Sequence, residues 1–182
     1  MKIFLLTKNS GKIKAAESVF SKYSIEIASL EKEFPEIQAD SSLEIARYSA
    51  ILAAKELNVQ VIREDHSLYI NAIGIPGPYT NFIEKKISPE KLIKILEYFS
   101  DHSGFFEVAT VLAKPDGETI ENVFKVPMTF GDKIVVPGKG WNGLIRLFDE
   151  TRALTEYPED ERLQVWNQGY LAIAEKLNEK DV

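Results

Sequence analysis

The sequence predicts a mixed α/β fold, with a central sheet flanked by helices. Three observations carry this. Residues 2–22 read as strand, turn and helix; two long strand-like runs meet at Pro115, Asp116 and Gly117; and an amphipathic helical stretch closes the chain. At 182 residues the chain suits a single domain, 1–182, with room for two lobes.

Residues 2–6 are an apolar run, stopped at once by Lys8, Asn9 and Ser10. The run is too short for a signal-peptide core and is expected to be a buried strand. A turn over 7–11 leads into a helix over 12–22, and 24–28 reads as a second strand. Residues 30–40, with Pro35 and Glu36, are irregular. Leu43, Ala46, Ala50 and Ala53 recur at helical spacing and predict a helix over 42–57, capped by Ser41 or Ser42. Residues 59–63 and 67–72 read as two strands, broken by Glu64, Asp65 and His66. The glycines and prolines of 74–78 predict a loop, followed by helices over 80–86 and 88–99. Strands over 104–114 and 118–127 form a hairpin, and 134–136 is a short strand. Residues 138–158 are mostly irregular. Residues 159–178 read as one helix, with Leu163, Trp166, Tyr170, Ile173 and Leu177 on its apolar stripe.

Composition narrows the chemistry. There is no cysteine, so disulfides, a thiol nucleophile and Cys-based metal sites are excluded. Two histidines, His66 and His102, cannot build a His-rich metal centre. A metal would need carboxylate ligands, which points to Mg²⁺, with Mn²⁺ as the alternative. The net charge of −6 argues against a sequence-independent nucleic-acid binder. No apolar run approaches the length of a membrane span. A polyphosphate ligand stays open, because local lysines and a divalent ion can hold it on an acidic protein. The cytoplasm is the expected setting.

Several segments have the residue types that such a ligand needs. Thr7, Asn9 and Lys12 sit between the first strand and the first helix, where free N–H groups favour an anion. The spacing is not that of a Walker A loop, and an ordinary capped turn would look the same. Glu64 and Asp65 are adjacent carboxylates that suit a metal ligand and a base for water, or equally a charged turn. Glu36 could complete a carboxylate cage with them. The Gly/Pro loop at 74–80 can hold backbone against a ligand or simply reverse the chain. In the glycine-rich run 138–143, Trp141 could stack on a base or fill the core.

In this order, the segments resemble the inosine/xanthosine triphosphate pyrophosphatase family over nearly the whole chain. The resemblance rests on T-x-N-x-x-K (Thr7, Asn9, Lys12), on the acidic pair Glu64 and Asp65 leading to Leu68, and on G-x-P-G-P-Y at 74–79. Gly138, Gly140, Trp141, Glu156 and Pro158 match the family's G-F-G-W-D-P and the segment that follows it. Glu36 resembles its metal-binding glutamate, and Glu44 the glutamate of its E-N-A helix. The base end departs from the pattern. Lys139 replaces the stacking aromatic, Asn142 the base-reading aspartate and Gly143 the proline. The S-H-R signature is absent; Trp166, Asn167 and Gln168 stand there, or Asn167, Gln168 and Gly169 after a one-residue insertion. Two family lysines are also missing: Asn81 stands at one place and Ser49 at the other, with Arg47 nearby.

The resemblance implies a nucleotide cleft between two lobes, a homodimer, and Mg²⁺-dependent cleavage of a nucleoside triphosphate to monophosphate and pyrophosphate. It implies Glu36, Glu64 and Asp65 as metal ligands and Asp65 as the residue that activates water. Lys12, Thr7 and Asn9 would hold the phosphates, with Lys12 also catalytic. Trp141, Asn142, Asn167 and Gln168 would lie towards the base. An inosine-, xanthosine- or deoxyinosine-type substrate is expected. The alternatives are an inactive nucleotide sensor and a pyrophosphatase for another modified triphosphate.

Overall fold

A computed structural model describes residues 1–30 and 32–180. In chain order the elements are β1 (Lys2–Leu5), α1 (Ser10–Phe20), β2 (Glu26–Ser29), α2 (Ser42–Leu57), β3 (Val61–Ile70), β4 (Pro76–Gly77), α3 (Thr80–Glu84), α4 (Pro89–Leu96), β5 (Ser103–Ala113), β6 (Thr119–Phe130), β7 (Ile145–Leu147), α5 (Glu159–Trp166) and α6 (Gln168–Lys180). The strand order is β2-β1-β3-β5-β6-β7, with β4 added to β3. β1 runs parallel to β2 and β3, whereas β4 is antiparallel to β3 and β7 to β6. This is the mixed α/β class that the sequence predicts.

The chain divides into two compact units. The first comprises 1–65, 108–124 and 160–182; the second comprises 66–107 and 125–159. In the first unit the sheet is covered on both faces. Ile3 and Leu5 of β1, Ile62 of β3 and Leu112 of β5 pack with Ala15, Ala16, Val19 and Phe20 of α1 and with Tyr170, Ile173, Ala174 and Leu177 of α6. Val61, Ala109, Val111 and Ala113 face the other way, onto Ala46, Ala50, Ala53 and Ala54 of α2. The period-2 alternation of strands sorts these neighbours to opposite faces, and the small residues of α2 let it lie close to the sheet. Ser41 caps α2 by accepting from the Glu44 N–H at 3.3 Å, and Asn58 ends it in the left-handed region.

The second unit has a core of its own. Leu68 and Ile70 of β3, Leu92 and Leu96 of α4, Val126, Met128 and Phe130 of β6, and Trp141, Leu144, Ile145 and Leu147 are buried. Ser88 caps α4 through the Lys91 N–H, with Pro89 in its first turn.

Besides β4, a two-residue strand inside the predicted loop 74–78, three elements differ from the sequence reading. Residues 61–70 are one strand, not two, because the buried Glu64 finds a partner in Lys12 and the strand need not break there. Residues 134–136 are not a strand; Val135 and Val136 are exposed beside Pro137, and the pairing with β6 is made by β7 instead. The closing helix is two helices, α5 and α6, separated at Asn167. The stretch 30–40 is irregular as expected, with Glu31 outside the described residues.

Candidate active site

The turn after β1 organises the start of α1. The Thr7 hydroxyl accepts from the Asn9 N–H at 3.2 Å. Asn9 is the N-cap, and its side chain accepts from the Gly11 N–H at 2.9 Å. The helix therefore starts at Ser10, two residues earlier than the sequence suggests. Its first turn carries no acidic residue, so the N-terminal dipole is not neutralised locally.

Lys12, one turn into α1, reaches across to β3. Its ammonium donates to the Glu64 backbone carbonyl at 2.9 Å and lies 3.5 Å from Glu64 Oε1. The Lys12 side chain is 20% exposed and that of Glu64 only 1%. A carboxylate so buried requires a charged or hydrogen-bonding partner. Tyr170 of α6 lies in the same interior. Burial pushes its phenol well above the ordinary range, and the Glu64 carboxylate adds to the push.

Arg63, next in the strand, turns to the other face. Its guanidinium donates to the Leu6 carbonyl at 3.1 Å and pairs with Glu36. Strand alternation places Asp65 on the side of Arg63 and sets Glu64 opposite. The three carboxylates expected to share one ion are therefore not gathered. Among the described residues no group of three or more His, Cys, Asp or Glu side chains is placed to hold a metal. The continuous β3 strand is the physical reason. Carboxylate oxygens suit Mg²⁺ in kind. Glu36 is 64% exposed and Asp65 partly exposed, so both can take an ion from solvent. The enclosed Glu64, held by Lys12, does not fit that role.

The residues expected at the base end take other positions. Trp141 is 1% exposed. Its backbone N–H donates to Glu84 at 3.2 Å, its indole N–H donates to the Ile87 carbonyl at 2.8 Å, and its ring meets Phe130 edge-on at 6.2 Å. It is a core residue of the second unit, and the sequence reading that it could fill the core describes it in this structure. Gly140 has φ +55°, and a Cβ there would lie 2.5 Å from the Glu84 carboxylate, so only glycine fits. Asn142 donates its backbone N–H to the Lys139 carbonyl at 3.2 Å. Asn167 and Gln168 belong to the first unit. Asn167 accepts from the Leu171 N–H at 3.0 Å, continuing the helical ladder, and the exposed Gln168 donates to the Val165 carbonyl at 3.2 Å.

Nor do the nearby replacements restore the missing cations. Ser49 is buried in α2. Arg47 is committed to Glu121 through two bonds of 2.7 and 2.8 Å, which raise the basicity of the guanidinium. Sequence reasoning missed Tyr170 and Arg63 as parts of this site. Tyr170 was hidden in an apolar stripe, and Arg63 needed the Leu6 carbonyl to show its direction.

Comparison with known proteins agrees with this fold. The chain is 37% identical over 127 residues to the dITP/XTP pyrophosphatase of Ignicoccus hospitalis, covering 69% of this chain and 68% of that one. It is 32% identical over 143 residues to the dITP/XTP pyrophosphatase of Methanosarcina acetivorans, covering 78% and 76%. The solved structure of a HAM1 protein from Coxiella burnetii shares the fold, with a TM-score of 0.84, 19% identity and coverage of 98% and 99%. Residues 3–163 match the model of the Ham1 family, and the chain belongs to that family.

Proposed function

We propose that this protein is a nucleoside triphosphate pyrophosphatase acting on deaminated purine nucleotides of the dITP/XTP type. The observation that carries this reading is the Asn9-capped start of α1 joined by Lys12 to the acidic strand β3, in a chain of the Ham1 family. The relatives named dITP/XTP pyrophosphatase support the substrate class.

The reaction splits the bond between the α-phosphorus and the bridging oxygen to the β-phosphorus. Water adds to the α-phosphorus, pyrophosphate leaves with the bridging oxygen, and the nucleoside monophosphate remains. Asp65 takes the proton of the attacking water. Lys12 neutralises phosphate oxygens, and Thr7, Asn9 and the N–H groups of the first turn of α1 orient them. Glu36 and Asp65 would hold Mg²⁺, which when bound supplies positive charge to the phosphate chain. To do so Glu36 would have to leave Arg63, its partner in this structure. Asn142, Asn167 and Gln168 are the remaining candidates for contact with the nucleoside.

A changed base preference is the second reading. The burial of Trp141 and the presence of Lys139, Asn142 and Gly143 at its sides favour it. A panel of standard, deaminated and modified nucleoside triphosphates, incubated with Mg²⁺ and followed by pyrophosphate and monophosphate release, tests both. Release from ITP, XTP or dITP is expected. Release from another member alone moves the substrate class, and tight binding with no release points to a nucleotide sensor. A cytoplasmic homodimer is part of the proposal. Ile75, Tyr79 and Phe82 are exposed apolar side chains that support self-association, and sedimentation velocity measures it.

A further inference from the structure

In the first unit the enclosed charges meet opposite ones: Glu64 has Lys12, and Arg63 has Glu36. Arg146 of the second unit is treated differently. It stands on β7 and is only 8% exposed. Among the described residues it forms no ion pair. Its hydrogen bonds run from Nη1 to the Gly143 and Ile145 carbonyls, at 3.3 Å each. Both are long for an N–H donor, and the Gly143 carbonyl also accepts from the Val135 N–H at 3.4 Å. A guanidinium does not shed its proton, so the charge stays in the interior. Neutral carbonyls answer it only in part; a buried charge calls for an opposite one.

The strand pairing places the other groups around it. Met128 pairs with Leu147, Thr129 with Arg146 and Phe130 with Ile145. Met128, Phe130, Ile145 and Leu147 belong to the core, so Thr129 and Arg146 share the opposite face as cross-strand neighbours. Gly131 leaves room against the guanidinium: a Cβ there would stand 3.0 Å from Nη2 and 3.3 Å from Cζ. Nε and Nη2 have no protein acceptor among the described residues. Two N–H groups in a fixed fork match two oxygens of one phosphate, and the Thr129 hydroxyl can donate to a third. We propose that Arg146, Thr129 and the room beside Gly131 form a phosphate-oxyanion site on the second unit, additional to the turn at 7–12 of the first. Arg146 supplies the charge and the fork, Thr129 a further donor, and Gly131 the space. The ligand is a phosphate group, free or carried by a nucleotide.

The test titrates inorganic phosphate into the intact protein without divalent ions, followed by NMR. The backbone N–H of residue 131 reports this site, and that of Gly11 reports the turn. A saturable shift at residue 131 is expected. Arg146→Gln should weaken the binding read there by about tenfold, the weight of one hydrogen bond to a charged group, and leave the binding read at Gly11 unchanged. Gly131→Ala keeps the charge but sets a methyl group against Nη2, and should weaken binding in the same way. Thr129→Val should cost roughly threefold, the share of a neutral donor. Acetate, which has no third oxygen for Thr129, should bind more weakly than phosphate. Inosine monophosphate identifies the source: tighter binding than phosphate assigns the group to a nucleotide, equal or weaker binding assigns it to the free ion, and the site stands in both cases. No saturable shift at residue 131 overturns the proposal, as does acetate binding as tightly as phosphate. Unchanged phosphate binding in Arg146→Gln also overturns it. Loss of a wild-type oligomer in Arg146→Gln, seen by sedimentation velocity, would give the guanidinium to an acid of a second copy and overturn it too. Should Arg146→Gln fail to fold, Gly131→Ala decides alone. Binding at residue 131 in a protein that turns over no triphosphate would sink the enzyme reading and leave this site standing.

Discussion

The turn at 7–12 and the loop at 138–143 look alike in sequence: each mixes lysine, asparagine and glycine. The structure uses them differently. The first leaves Asn9 exposed, caps α1 with it, and sends Lys12 to a buried carboxylate. The second turns Trp141 inward and satisfies both of its N–H groups. An indole ring contributes most when a core encloses it, and its one polar atom is easily paired. A buried carboxylate has no such freedom and draws a cation to itself. Composition marks both stretches as special, but only the placement of charge separates the turn at 7–12 from the packing loop at 138–143.

Removing the proposed base should break the comparison most sharply. Asp65→Asn is expected to lower turnover by roughly 10²–10⁴-fold, the usual contribution of a general base. Its melting temperature should stay near wild type. Pyrophosphate release and thermal unfolding on the same sample check this, and near-normal turnover would remove Asp65 from the mechanism.

Next in size is the packing loop. Trp141→Ala should cost about 3–5 kcal/mol of stability, as large aromatic truncations in cores do. Urea unfolding measures the cost. The companion Trp141→Phe should lose some stability yet keep the order of preference among triphosphates. A reordered preference in a well-folded Trp141→Phe would return the ring to the base.

The smallest effect concerns Glu84, which accepts the Trp141 backbone N–H. Burial raises its pKa, opposed by that hydrogen bond and by the charge of Lys139. A carboxyl raised by folding holds its proton more tightly in the folded chain than in the unfolded one. Its stabilising contribution is full below the unfolded carboxylate range and is lost as pH rises through the raised folded value. Melting temperature should therefore decline across that window, and Glu84→Gln should flatten the decline. An unchanged slope in Glu84→Gln would place the titration elsewhere.

Much of the fold was legible because local pattern and tertiary need coincide. The helix over 42–57 has its apolar positions at i, i+3 and i+4 spacing and a serine at its start, and it forms as read. The hairpin of β5 and β6 follows from two long alternating runs around Pro115, Asp116 and Gly117. β3 was misread because two adjacent acids look like a break, whereas one of them is held in the interior by a lysine 52 positions away. The three carboxylates lie apart in this structure for the same reason. Adjacency in sequence suggests a shared ion, and a continuous strand sends neighbours to opposite faces.

From the sequence alone followed the α/β class, the absence of thiol chemistry, and the polar segments around Thr7, Lys12 and Asp65. These depend on residue type and near spacing, which are written in the chain. Only the tertiary structure decided that Glu64 belongs to Lys12, that Glu36 belongs to Arg63, and that Trp141 is core. Each of those outcomes depends on which distant groups share a buried volume. Burial sets the cost of an unpaired charge, and no local pattern records it.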